Sequence, residues 1–160
     1  MSRSNLAENT CTAARAVELF ADAWMMMILR EMFLGTRRFD DLQCLTGVSP
    51  ATLSQRLKKL EHIGVLCREA YQAHPPRYEY RLTAMGRDLW PVIVSMKAWG
   101  DRWLGSGEEP PVAIIHKHCG AAVTPHMVCP ACHEPMEAHD SEPRLSPAFE
   151  HERQAARGQS

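Results

Sequence analysis

The chain has 160 residues and a net charge of −1, with 45% hydrophobic and 23% charged residues, which are the proportions of an ordinary globular protein. That length holds one domain with its own core, or one domain and a small appendage, without disulfides. Rods, collagen and a chain disordered throughout are excluded, and the longest apolar run, Trp24-Met25-Met26-Met27-Ile28-Leu29, is too short to span a bilayer. Met1–Asn5 leads into no apolar stretch of the secretory kind, so a cytoplasmic chain with no membrane partner is expected.

The near-zero charge hides a split. Residues 36–87 carry nine Lys/Arg against five Asp/Glu, whereas residues 106–160 carry four against eight. A basic middle beside an acidic end is a charge asymmetry whose meaning depends on where the basic residues fall.

In chain order, residues 12–32 read as one helix, because Val17, Phe20, Trp24, Met27 and Ile28 recur at helical spacing with Glu31 among them. Phe39, Leu42 and Leu45 then suit a short second helix that Gly47 stops. Ser49-Pro50 opens a third helix, with Ser as cap and Pro in the first helical position. Val48 and Leu53 can staple that start, and Leu53, Leu57 and Leu60 form its inward stripe as far as His62. After Gly64, residues 65–71 and 77–82 read as two strands. In the second, Tyr78, Tyr80 and Leu82 alternate with Arg77, Glu79 and Arg81. Gln72-Ala73-His74-Pro75-Pro76 is the loop between them. Thr83 caps a last long helix in which Leu89, Val92, Met96, Trp99 and Trp103 form a seam for a partner helix, with a kink at Pro91. Dimerisation through this seam competes with packing on the chain's own core. Residues 105–111 look like a linker, residues 112–140 are rich in Cys and His, and residues 141–160 read as a disordered tail.

Helix, short helix, tight turn, helix, hairpin, helix is the order of a winged helix-turn-helix. The fold class is mainly α with a small β-hairpin. On the third helix the side opposite the leucines presents Ala51, Gln55, Lys58 and His62, flanked by Thr52, Ser54 and Lys59. Small residues near the helix start allow a close approach to a major-groove floor. Gln55 can read adenine through two hydrogen bonds, and Ser54 suits several bases. Arg56, Lys58 and Lys59 lie where phosphates would run. With Ser49 and Pro50 at the helix start, Arg37 and Arg38 before the second helix, and His74 and Arg77 on the wing, the candidate partner is double-stranded DNA.

The resemblance to a family is carried by several spaced segments. They are Cys11 to Ala16, Trp24 to Glu31, Gly35-Thr36-Arg37-Arg38-Phe39 with Leu42, Val48 to Gly64, Pro75 to Gly86, and Trp99-Gly100. Over about residues 11–104 the chain resembles the HxlR-type, MarR-like branch of bacterial winged helix-turn-helix regulators. The resemblance implies a homodimeric DNA-binding domain over 11–104 that regulates transcription, and no enzyme. Members often have Pro after the N-terminal Cys, where this chain has Thr12. The resemblance does not extend to the Cys/His segment.

Of six cysteines, Cys11, Cys44 and Cys67 are isolated and Cys119, Cys129 and Cys132 are clustered. His116, Cys119, Cys129 and Cys132 read as H-x2-C-x9-C-x2-C, two ligand pairs with the spacing of a zinc ribbon. His118, His126 and His133 are rival ligands. A small segment with little core suits a structural Zn2+, and a metal-free ribbon-like hairpin is the alternative. Cys44 and Cys67 read as packing. Cys11, near a helix start with Arg15 one turn on, is placed to be a redox sensor. Some HxlR-type regulators sense oxidants or electrophiles at this place, while a small buried residue at a helix start is the plain alternative. An effector is left unidentified. The rival function is a winged-helix protein-interaction module without DNA binding. An enzyme lacks support, since no nucleophile–base set, phosphate loop or cofactor fingerprint is present.

Overall fold

The structure, a computed structural model, describes residues 8–105, 107 and 109–158. Met1–Asn5, and Ser106 and Glu108 of the expected linker, lie outside the described residues. By its contacts the chain divides into two units. One is Ala23–His126; the other combines Met1–Asp22 with Met127–Ser160.

Within the first unit, α2 spans Ala23–Phe33, and α1, Thr12–Phe20, belongs to the second. The single helix expected over 12–32 is therefore two. The Ala21 N–H closes α1 on the Val17 carbonyl at 2.8 Å, and Asp22, a residue type that favours helix starts over interiors, occupies the break. The interruption resets the helical phase. The buried face of α2 is Met25, Ile28, Leu29 and Met32, and Val17 and Trp24, which share the apolar spacing read from the sequence, are exposed. Glu31 is buried beside this face and accepts a hydrogen bond from Arg30 Nε at 3.0 Å, which supplies the partner that a buried carboxylate needs.

α3, Phe39–Thr46, ends at Gly47 with φ 69°, the left-handed closure that favours glycine. α4 spans Pro50–His62. The Ser49 hydroxyl accepts the Thr52 N–H, Pro50 opens the helix, and Leu53, Leu57 and Leu60 are fully buried. Burying three leucines stabilises by roughly 1.5–3 kcal/mol each relative to exposure, so the stripe fixes which face of α4 meets solvent. Val48 is buried with Leu53, as a staple at the helix start requires. α2 packs against α3, α4 and α6.

β1, Leu66–Gln72, and β2, Arg77–Leu82, pair antiparallel with Leu66 opposite Leu82 and Ala70 opposite Tyr78. The register shifts between Ala70 and Gln72, so Tyr71 falls out of strict alternation. Glu69 faces Glu79 across the pair, and the Arg81 guanidinium reaches both carboxylates, with Nε 2.6 Å from Glu69. The wing is joined to α4 through Val65, whose N–H donates to the Leu60 carbonyl and whose carbonyl accepts from the Thr83 N–H. The Thr83 hydroxyl donates to the Gly64 carbonyl at 2.6 Å and accepts from the Gly86 N–H at 3.1 Å.

Thr83 caps a short α5, Ala84–Arg87, and a new helix, α6, runs Trp90–Trp103. The long kinked helix of the sequence reading is again two elements. Pro91 lies in the first turn of α6, where no backbone donor is needed, so it starts a helix instead of bending one. Only Val94 of α6 is buried, whereas Val92, Met96, Trp99 and Trp103 are 47–62% exposed. The seam is unpartnered among the described residues of the chain. β3, Ile114–Ile115, and β4, Ala122–Val123, form a second small antiparallel pair.

In the other unit, Thr10 N–H donates to Glu152 at 3.0 Å, tying the start of the chain to α7, Pro147–Gly158. Part of the expected disordered tail is thus helical. Ser146 supplies a hydroxyl to the Phe149 N–H at the helix start, a cap that a composition argument passes over.

Gly86 has no room for a side chain, because an added Cβ would stand 2.2 Å from the Val65 carbonyl oxygen. Gly86→Ala is expected to lower the urea unfolding midpoint, at a cost of roughly 1–3 kcal/mol. Gly100→Ala, where a Cβ meets nothing within 4 Å, is the control and is expected to lose no stability.

Candidate nucleic-acid interface

The leucine stripe turns the other side of α4 outward. Ala51, Gln55, Lys58, Lys59 and His62 are exposed, and Thr52, Ser54 and Arg56 are half-buried. The face expected from the heptad of apolar residues is the one presented. Two of its members are engaged in building the helix. The Ser49 hydroxyl donates to Thr52 Oγ1 at 2.9 Å while accepting the Thr52 N–H at 3.2 Å. Gln55 Oε1 accepts from Arg56 Nη1 at 2.9 Å, which orients the amide before any partner arrives. Ala51 beside Pro50 leaves the first turn narrow, as a close approach to a groove floor demands.

The loop before α3 and the wing meet at one cleft. Arg38, Tyr71, Arg77 and Tyr78 line it together with Asp40 and Asp41, and those two carboxylates stand in the first turn of α3, where the helix dipole favours them. The Arg38 guanidinium lies 4.8 Å over the Tyr71 ring, and Arg68 lies 4.6 Å over Tyr78. Such stacking holds a guanidinium in place while its donors stay available. The loop backbone is tied to the wing by Tyr80 N–H donating to the Arg37 carbonyl at 2.8 Å. Burial pushes the Tyr80 phenol above its ordinary value, offset in part by the charge of Arg68.

Arg38 and Arg77, assigned from sequence, are thus brought together. Arg37 instead borders a cavity with Tyr80 and Trp90. His74 is exposed in the loop between the strands and precedes a cis proline. Tyr71, Tyr78 and Arg68 are the wing residues that the sequence reading missed. Tyr78 shares a face with Tyr80 and Leu82, with which it stays in register, but is 44% exposed, because burial falls away along β2 toward the tip of the hairpin.

The Cys/His segment contains two tight turns. In one, His116 N–H donates to the Ala121 carbonyl at 2.9 Å and Gly120 N–H to the His116 carbonyl at 2.8 Å. In the other, Cys129 N–H donates to the Glu134 carbonyl and His133 N–H to the Cys129 carbonyl, both at 2.8 Å. Gly120 and His133 take positive φ of 72° and 62° at the same place in each. His116 Nδ1 is 3.2 Å from Cys119 Sγ. The Cys132 and Ala131 N–H groups, with the Cys132 thiol, hold the Cys129 thiol below its ordinary range. Among the described residues no group of three or more His, Cys, Asp or Glu side chains is gathered for a metal ion. Cys11 is the half-buried residue before α1, its N–H donating to Asn9 Oδ1 at 2.8 Å. Cys44 is exposed on α3, against the expectation of packing, and Cys67 is half-buried with its thiol toward the Arg81 carbonyl. No described helix is long and apolar enough to cross a membrane.

Comparison with known proteins places this geometry. A family model described as HxlR-like helix-turn-helix matches residues 19–108. The HTH-type transcriptional regulator Rv3095 of Mycobacterium tuberculosis is 41% identical over 138 residues, covering 86% of this chain and 87% of the relative. YtfH of Escherichia coli, named likewise as an HTH-type transcriptional regulator, is 33% identical over 62% of this chain and 79% of its own. Among solved structures, PA1607 aligns with a TM-score of 0.77 and 29% identity over 90% of this chain and 99% of its own. The oxidized form of the redox regulator HypR aligns with a TM-score of 0.54 and 30% identity over 57% of this chain and 96% of its own.

Proposed function

Because the chain belongs to the HxlR-like helix-turn-helix family, whose members are non-catalytic DNA-binding regulators of transcription, we propose that it reads a specific operator as a homodimer. The observation that carries this reading is the exposed side of α4, where Gln55 is pre-oriented beside Lys58 and Lys59, with Arg38 and Arg68 stacked on the tyrosines of the flanking wing. α4 enters the major groove, Ser54 and Gln55 meet base edges, and Arg38, Lys58, Lys59 and Arg77 meet phosphates. The homodimer is supported by the α6 stripe, since Trp99 and Trp103 are about 60% exposed in the single chain and a contiguous apolar patch of this kind marks an association surface.

Sedimentation at micromolar concentration is expected to give twice 18.0 kDa, and a stable monomer would remove the two-fold operator. Gln55→Ala is expected to relax preference at one base per half-site at a cost of roughly 1–3 kcal/mol, whereas Lys58→Ala weakens all sequences alike and lowers the salt slope by about one. Identical behaviour of the two variants would show that base and phosphate contacts are wrongly divided.

Thiol responsiveness is assigned to Cys11. Its support is its position immediately before α1, together with the likeness to a redox regulator. A mild electrophile is expected to lower operator affinity in the full-length chain carrying Cys119→Ser, Cys129→Ser and Cys132→Ser, and adding Cys11→Ser is expected to abolish that response. Equal loss in both proteins, or loss in neither, would make Cys11 a packing residue.

The zinc-ribbon reading of His116, Cys119, Cys129 and Cys132 rests on donor chemistry and on the two matching turns, each the kind of tight turn from which a zinc ion takes two ligands. When bound, zinc would supply cross-linking to a segment with few buried residues. Elemental analysis of protein purified without added metal is expected to show close to one zinc per chain, lost in Cys129→Ser/Cys132→Ser. Metal-free protein protected from proteolysis over residues 112–140 would instead make this a ribbon-like hairpin that folds alone.

A further inference from the structure

The cavity that Arg37 borders differs from the other clefts of the same unit. It measures about 650 Å3 and lies among the end of α2, the loop after it, β2, α5, the start of α6 and the turn after β3. Phe33 and Trp90 form an aromatic wall, their ring centroids 5.2 Å apart and their planes tilted by 54°, and the half-buried Tyr80 adds a third ring. Four cations also line it. Arg81 is neutralised by Glu69 and Glu79. Arg87 gives one guanidinium nitrogen to the Leu82 carbonyl at 2.9 Å and keeps the rest of its donors. Arg37 and Lys117 have no carboxylate partner among the described residues.

No described acidic side chain lines this cavity. The two other clefts of the unit each include carboxylates, Asp41 with Glu79 in one, which Arg37 also borders, and Asp40 with Asp41 in the other. Three uncompensated cations in a concave site repel one another and attract an anion of more than one charge. A rigid aromatic wall facing them favours a flat ring, by stacking and by apolar burial. A DNA backbone would satisfy the cations but would leave the wall unfilled.

We propose that this cavity is a binding site for a small planar aromatic ligand carrying a doubly charged group, the chemistry of an aryl phosphate or an aryl dicarboxylate. The ring lies against Phe33 and Trp90, and the charged group is taken by Arg37, Arg87 and Lys117. The site bears on the wing. The peptide carbonyl of Arg37 accepts the Tyr80 N–H, and the next residue, Arg38, stacks on Tyr71. Occupancy therefore fixes the loop that joins α2 to α3 at the edge of the DNA-facing cleft. Binding of the small ligand is read without DNA, so its outcome is separate from that of the operator reading.

The probe is naphthyl phosphate, titrated calorimetrically into the full-length chain, with naphthol and inorganic phosphate as the ring-only and charge-only controls. One ligand per chain is expected, bound at least about tenfold more tightly than either control, as loss of a stacking or charge-assisted contact costs a kcal/mol or more. Lys117→Glu, at an exposed position, is expected to weaken the phosphate ester by about tenfold or more without moving the melting temperature or the binding of naphthol. Trp90→Phe keeps a ring in the wall and is expected to retain binding, while Trp90→Ala loses it. Equal binding of ester and inorganic phosphate, or an ester affinity untouched by Lys117→Glu, would overturn the proposal. So would a short duplex of unrelated sequence that displaces the ester and depends on Lys117 to the same degree, since the occupant would then be the nucleic-acid backbone.

Discussion

Three elements meet at Val65, the residue before β1. Its N–H takes the last turn of α4, its carbonyl takes Thr83 at the end of β2, its side chain is fully buried, and the carbonyl leaves no room for a Cβ at Gly86 on α5. Backbone polar groups inside a protein must be paired, and here one residue's pair of groups links the reading helix to the wing. The Thr83 hydroxyl doubles the closure by bridging Gly64 and Gly86. The angle between α4 and the hairpin is therefore set by short hydrogen bonds and a close backbone approach, not by long side chains. A protein that must touch a rigid duplex with a helix and a strand pair at once depends on that angle.

The elements easiest to read in the sequence were those whose signals are local and agree with one another. Ser49-Pro50, the stripe of Leu53, Leu57 and Leu60, and the glycines at 47 and 64 each name a boundary or a face of α3 and α4 without reference to the rest of the chain. The hairpin was legible for the same reason. The two long helices were read too long because apolar spacing carries across an interruption. Asp22 and Pro91 mark starts, yet inside an otherwise helical pattern they look like tolerated exceptions. Once a helix is divided, its second half need not keep the phase of the first, which is why Met25 and Leu29 are inside and Trp24 is not.

The candidate site divides the same way. Positions on α4 follow from the leucine stripe by simple opposition, so the exposure of Gln55, Lys58 and Lys59 was legible at once. The braces on the wing were not, because Tyr71 sits at a register shift and both Tyr71 and Tyr78 acquire their roles from guanidinium groups on a neighbouring loop and strand. Arg37 and Arg38 are adjacent in sequence and share one cleft, yet each also borders a second one without the other, Arg37 beside Trp90 and Arg38 beside Tyr71. Sequence proximity puts both on one surface, and only the folded loop gives each its second neighbourhood.

The hydrogen bond between Gln55 and Arg56 has a thermodynamic consequence. The bond leaves the second lone pair of the Gln55 carbonyl and both N–H donors of its amide open, while it opposes the rotation that would exchange them. On the proposed reading of α4, part of the ordering cost of binding is met before a base edge arrives. The orientation of the amide then belongs to the chain and not to the partner, so a base is met by a fixed donor and acceptor pattern.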